Sequence, residues 1–172
     1  MRVVFLGTPG FAVPSLQALH SWSDPEYQVV GVITQPDRPA GRGQNRTPPA
    51  VKVLAAELGI PVYQPERLRD NQAAQEFLEE ADPGLMVVVA FGTILAPEFF
   101  GYPPLGTLNV HASLLPSYRG AAPIVHTLLN GELETGVTIM KIDEGMDTGA
   151  IVSQSRLKVG SDTNTAELEE AL

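Results

Sequence analysis

Arg2-Val-Val-Phe-Leu-Gly-Thr-Pro-Gly-Phe-Ala-Val-Pro-Ser-Leu-Gln-Ala-Leu-His20 opens the chain with the pattern that decides its fold class. The run 3–6 is apolar and rich in Val, the composition of a buried strand. Gly7-Thr-Pro-Gly10 reads as a tight turn. Phe11, Leu16 and Leu19 then carry helical spacing over 11–20. Strand, glycine turn and helix in direct succession resemble the opening of a dinucleotide-type α/β fold. Gly-x-x-Gly is not the full Gly-x-Gly-x-x-Gly fingerprint, so it speaks for the fold and little for a nucleotide cofactor.

Working outward, 27–34 reads as a second strand. The stretch 35–49 reads as a long loop punctuated by Pro39, Gly41 and Gly43. Loops beyond ~12 residues are uncommon and often functional. A helix is predicted over 51–58, closed by Gly59, and a short strand over 61–63. An acidic amphipathic helix follows over 70–80, with Phe77 and Leu78 on its apolar side. The Val-rich run 85–90 has the composition of a parallel strand buried on both faces. Strands at 108–111, 136–142 and 150–159, a helix at 122–129 and a loop at 143–149 complete the pattern. It predicts an α/β fold with a doubly wound, predominantly parallel sheet and some antiparallel pairing near the end. Asn164 and Glu167 fit an N-cap and N3 pair for a last helix. The chain stops about two turns into that helix, a marginal length, and we expect a truncated piece of a longer protein.

Composition bounds the function. The chain has 172 residues, 44% of them hydrophobic and 18% charged, which suits one globular domain. No apolar run reaches the ~18 residues of a transmembrane span, so no membrane association is expected. The opening apolar run is too short for a signal peptide. There is no cysteine, which excludes disulfides and thiolate metal sites and suits a cytoplasmic setting. A net charge of −9 argues against a general nucleic-acid binder. Between Asp37 and Glu57, however, the chain has no acid and carries Arg38, Arg42, Arg46 and Lys52. This basic patch is either a solvated loop or a contact surface for an anionic partner.

The chemistry concentrates at Asn109-Val-His-Ala-Ser-Leu-Leu-Pro-Ser-Tyr-Arg-Gly-Ala-Ala-Pro123. Asn109 and His111 stand two apart and so share a strand face. They close a strand whose carboxyl end is where open α/β sheets bind ligands. Asp147 lies in Gly145-Met-Asp-Thr-Gly149, a glycine-flanked turn. A donor amide, an imidazole and a carboxylate can together stabilise an oxyanion and handle a proton. With no cysteine and no Gly-x-Ser-x-Gly elbow, direct transfer to an incoming nucleophile fits better than a covalent intermediate. One His with one Asp is thin for a metal, and none is expected. Each residue also has a purely structural reading. Asp147 can close an Asx turn, Asn109 can satisfy backbone at a strand end, and His111 can be a hydrogen-bonded core histidine. His20 and His126 lie in helical segments without a polar partner pattern. Ser113-Leu-Leu-Pro116 supplies either core anchors beneath a loop or the apolar wall of a pocket.

Asn-x-His followed by Ser-Leu-Leu-Pro, then Arg119-Gly120, then Asp-x-Gly at Asp147-Thr-Gly149 resembles the formyltransferase family that uses 10-formyltetrahydrofolate. The resemblance runs over essentially the whole chain. Gln35-Pro-Asp-Arg-Pro-Ala-Gly-Arg-Gly43 and Arg119-Gly-Ala-Ala-Pro-Ile124 point to the branch that acts on initiator tRNA. The purine branch typically has Pro where this chain has Ala112. The amino-sugar branch typically reads Arg-Gly-Arg-Ala-Pro.

The resemblance implies a Rossmann-like formyltransferase catalytic domain over 1–172, without the C-terminal β-barrel domain of that family. It implies transfer of formyl from N10 of the folate to the methionyl amino group of charged initiator tRNA, in translation initiation. Asn109, His111 and Asp147 match the family's catalytic positions. Asn109 and a protonated His111 would donate to the tetrahedral oxyanion, while Asp147 would hold the imidazolium and assist proton removal. Ser113, Leu114, Leu115 and Pro116 match the folate site, and Phe91, Ile94 and Leu95 are added as pocket lining. The basic loop matches a tRNA-recognition insertion, with Arg42 foremost beside Arg38 and Arg46. Three positions depart from the family pattern: Gly10 for an acid, Ser117 for a base and Gln44 for a lysine. The expected partners are the tRNA and the folate, and a monomer is expected. Alternative readings are formyl transfer to a small amine, hydrolysis of the formyl-folate, or a folate-binding fragment without turnover.

Overall fold

The computed structural model describes residues 1–40 and 45–172. They divide into two compact units, Met1–Thr107 and Leu108–Leu172.

In the first unit, β1 (Arg2–Gly7) pairs in parallel with β2 (Gln28–Ile33) and with β6 (Leu85–Val89). The short β5 (Val62–Tyr63) adds to β2, also in parallel, giving the order β5-β2-β1-β6. Val3, Val4, Phe5 and Leu6 are fully buried, so both faces of β1 are covered. That is why this strand reads as a continuous apolar run rather than an alternating one. A Cβ on Gly7 would stand 2.7 Å from Phe5 Cε1 and 2.9 Å from Ala12 Cβ, so only glycine lets the chain turn so tightly here. The turn continues as a single 3-10 turn, Gly10–Ala12, before α1 (Val13–His20) begins. Phe11 therefore belongs to the turn and not to the helix. Pro14 near the start of α1 explains the later onset: its fixed φ and missing N–H suit a first turn.

The predicted long loop at 35–49 is corrected. Arg38–Ala40 (β3) and Asn45–Thr47 (β4) pair antiparallel, Arg38 opposite Thr47 and Pro39 opposite Arg46. Three-residue strands that include Pro39 are too short and too polar to show alternation. α2 (Ala50–Glu57) and α3 (Gln72–Ala81) lie close to their predicted spans. Asn71 caps α3 by accepting the Ala74 amide. On α3, Leu78 is buried and Phe77 stacks on Tyr63 at 5.2 Å between centroids. A four-residue helix, α4 (Pro97–Phe100), has no counterpart in the sequence reading because one turn carries no periodicity.

The second unit is an antiparallel meander of β7 (Thr107–His111, starting at the boundary), β8 (Glu134–Lys141) and β9 (Ile151–Lys158), with α5 (Pro123–Leu129) between β7 and β8. α6 (Thr165–Ala171) starts with the expected capping box: Asn164 accepts the Glu167 amide and Glu167 accepts the Asn164 amide. The α/β reading is borne out, with parallel pairing in the first unit and the anticipated antiparallel pairing late in the chain. Among the described residues no helix is long and apolar enough to cross a membrane.

Candidate active site

The site lies in the second unit, at the carboxyl end of β7. His111 pairs with Thr138 and Asn109 with Met140 on the neighbouring β8. The period-2 rule puts the Asn109 and His111 side chains on one face, and both reach Asp147. Asn109 Nδ2 donates to Asp147 Oδ1 at 3.3 Å. His111 Nδ1 lies 3.5 Å from Asp147 Oδ2, with the imidazole 8% and the carboxylate 16% exposed. The Gly120 amide donates to Asp147 Oδ2 at 2.7 Å. Asp147 itself sits in the left-handed region at φ 51°, a conformation that side chains adopt at a cost and that clusters at functional sites.

These contacts show which partners each residue holds. Asp147 does not close a local turn, since its partners are 27 and 38 residues away in sequence. Asp143 does: it accepts the Gly145 amide at 3.0 Å and the Thr148 hydroxyl at 2.7 Å, pinning the loop that carries Asp147. Asn109 serves the carboxylate rather than the backbone. His111 is buried and hydrogen-bonded, as a core histidine would be, but only through Nε2, and its other ring edge faces a carboxylate. Its Nε2 donates to the Tyr118 carbonyl at 2.8 Å, which leaves Nδ1 facing Asp147. A carbonyl only accepts, so this contact selects the tautomer with the proton on Nε2.

The segment after His111 is held from below by β8 and β9. Ser113 is buried and its hydroxyl donates to the Ser117 carbonyl at 2.7 Å. Thr138 Oγ1 donates to the Ser113 carbonyl at 2.6 Å and accepts the Leu115 amide at 3.1 Å. Gln154 Nε2 donates to Thr138 Oγ1 and to the Leu115 carbonyl, each at 2.9 Å. Leu115 is buried, Leu114 half-buried and Pro116 exposed, with a cis peptide between Leu115 and Pro116. Sequence reasoning missed Tyr118, Gly120, Thr138, Asp143 and Gln154 as participants. The one available signal was that Thr138 is a lone polar residue in an apolar stretch of strand.

The remaining candidates belong to the first unit. Phe91 and Leu95 are buried, and Ile94 is 85% exposed. The Phe91 carbonyl accepts the Thr8 hydroxyl at 2.9 Å. Arg38 and Arg46 are exposed on the β3–β4 hairpin, and Arg42 lies outside the described residues. At the base of the hairpin Lys52 Nζ donates to both oxygens of Asp37 at 2.8 Å, and Gln64 Nε2 donates to Oδ1 at 2.8 Å. These two donors hold the Asp37 carboxyl below its usual range. Among the described residues no three His, Asp or Glu side chains converge as metal ligands would.

On this α/β frame a carboxylate gathers a strand-end amide, an imidazole and a backbone amide. The Formyl transferase family matches residues 1–172, and the chain belongs to that family. The methionyl-tRNA formyltransferase of Synechococcus sp. (strain JA-3-3Ab) is 54% identical over 172 residues, covering 100% of this chain and 53% of that protein. The methionyl-tRNA formyltransferase of Kosmotoga olearia is 50% identical over the same length, covering 100% of this chain and 54% of its own. The chain thus spans about half the length of the curated relatives it matches. A phosphoribosylglycinamide formyltransferase from Anaplasma phagocytophilum shares the fold, with a TM-score of 0.81 at 23% identity over 98% of this chain and 77% of that one. The family resemblance carried by residues 109–149 is borne out.

Proposed function

We propose that this chain carries the catalytic part of an enzyme that moves a formyl group from 10-formyltetrahydrofolate to the methionyl amino group of charged initiator tRNA. The observation that carries the reading is the convergence of Asn109, His111 and the Gly120 amide on Asp147, in a chain that matches about half the length of relatives bearing that enzyme's name.

In this reading the amine nitrogen attacks the formyl carbon, and negative charge gathers on the formyl oxygen. Asn109 commits one N–H to Asp147, and the second is free by valence to meet that oxygen. The amine must lose a proton as its bond to carbon forms, and N10 must gain one as its bond breaks. His111 and Asp147 form the titratable pair that handles this proton: with Nε2–H held by the Tyr118 carbonyl, a proton arriving at Nδ1 is met by the carboxylate. Ser113, Leu114, Leu115 and Pro116 are the residues we assign to folate contact. Arg38, Arg42 and Arg46 are those we assign to tRNA, since guanidinium groups suit phosphate and base edges.

The test is formylation of charged initiator tRNA with 10-formyltetrahydrofolate as donor, run beside amino sugars and a glycinamide nucleotide as alternative acceptors. Product on the tRNA alone supports the proposal. Formylation of a small amine in its place would sink it.

A further inference from the structure

The structure assigns a positioning role to Tyr118: we infer that a clamp on its side chain holds its backbone so that the Tyr118 carbonyl fixes the tautomer and the direction of the His111 ring. The carbonyl contact to Nε2 is 2.8 Å. What holds the carbonyl there is not a regular element. Tyr118 sits at φ 56°, in the left-handed region, and Gly120 and Ala122 follow at 83° and 56°. For a residue with a Cβ this backbone is disfavoured and persists only where the surroundings over-determine it.

The surroundings do so through the side chain. The Tyr118 hydroxyl donates to Glu132 Oε1 and accepts from Asn130 Nδ2 at 2.9 Å. Its ring lies parallel to that of His126, 6.5 Å between centroids with 2° between planes. All three partners belong to α5 or to the turn that ends it. The hydroxyl's one donor and its acceptor side are both engaged. The Glu132 carboxylate also holds the phenol above its ordinary value, so the donated proton stays in place.

The consequence reaches the site through two atoms of one short loop. The Tyr118 carbonyl takes the Nε2 proton, and two residues on the Gly120 amide donates to Asp147. If the carbonyl turned away, the ring could carry its single proton on either nitrogen. A proton resting on Nδ1 would leave Nε2 bare and close the edge that faces Asp147. The exposed surface at the end of α5 therefore sets which nitrogen of a buried imidazole is available.

The effect on turnover rests on the proposed formyl transfer, whereas the tautomer does not. The first measurement is therefore spectroscopic. Long-range 1H–15N correlation on the 15N-labelled chain is expected to show neutral His111 as the Nε2–H form. Tyr118→Phe, which keeps the ring and removes both hydroxyl bonds, should shift the His111 nitrogens toward a tautomer mixture. Glu132→Ala should do the same with Tyr118 itself intact, and Glu132→Gln, which retains an acceptor oxygen, should restore the native signals. In the formylation assay Tyr118→Phe is expected to lower kcat ~5-fold, the order of one net hydrogen bond, with KM for the formyl donor within about twofold. Unchanged His111 signals in both Tyr118→Phe and Glu132→Ala would overturn the proposal. Shifted signals with no formyl transfer by any of the proteins would leave the clamp standing and remove the proposed reaction instead.

Discussion

Gly120 donates its backbone amide to the Asp147 carboxylate across 27 positions of sequence, at 2.7 Å, while Asn109 donates to the other carboxylate oxygen at 3.3 Å. Asp147 therefore accepts on both oxygens before any substrate is considered. Asp147→Asn would replace one acceptor by an NH2 group facing a donor. We expect turnover to fall by at least ~100-fold, as for loss of a general acid–base partner, with an additional ~1–3 kcal/mol loss of stability from the unpaired donor. Single-turnover kinetics and urea melts read the two effects separately. Near-normal turnover would remove Asp147 from the mechanism.

Gly120 also has a conformational reason to be glycine. It sits at φ 83°, and a Cβ there would come 2.9 Å from the Met146 sulfur. Met146 is 63% exposed and can move aside, so the backbone term dominates. Gly120→Ala is expected to cost ~1–2 kcal/mol, seen as a lower urea midpoint with an unchanged slope.

Thr138 is fully buried and holds three groups on one hydroxyl: the Ser113 carbonyl, the Leu115 amide and the Gln154 side chain. Thr138→Val keeps the shape and breaks all three bonds, leaving Gln154 only its bond to the Leu115 carbonyl. We expect a loss of ~2–4 kcal/mol together with weaker folate binding, because the 113–116 segment loses its floor. Thr138→Ser should recover most of both. Calorimetric titration with a folate analogue, beside thermal melts, checks this. Equal folate affinity in all three proteins would detach the segment from folate contact.

Tyr27 offers a pH test remote from the site. Its Oη is buried and finds no partner among the described residues, and burial pushes the phenol from 10.0 up to about 12. The folded value lies above the unfolded one, so the contribution is fully present below pH 10 and is lost as pH rises toward 12. Tyr27→Phe should flatten the alkaline fall in stability over that window. At neutral pH it should be neutral or more stable by ~1 kcal/mol, since an unpaired hydroxyl is removed. Urea melts from pH 8 upward give the answer, and an unaltered alkaline limb would refute it.

For tRNA the expectation concerns the hairpin. Arg38→Ala and Arg46→Ala should each raise KM for charged tRNA and shallow its salt dependence by about one phosphate contact, with folate affinity unchanged. A folate effect without a tRNA effect would count against the assignment.

Local periodicity made much of the molecule legible from the sequence alone. The Val-rich runs of β1 and β6, the glycine turn at Gly7 and the capping box of Asn164 and Glu167 all act between near neighbours, and each stands where expected. The strand period placed Asn109 and His111 on one face before their partner was known. What tertiary structure alone decided is the long-range polar wiring. No spacing rule links Asp147 to Asn109 or Gly120, or Thr138 and Gln154 to the 113–116 segment, because a hydrogen bond between distant residues leaves no periodic trace. The same holds for the Tyr118 carbonyl that orients His111: every residue has a carbonyl, and only the folded backbone decides where it points. Residue types and their alternation determined which groups lie at the strand end. The packing of loops against β8 and α5 determined how those groups face one another.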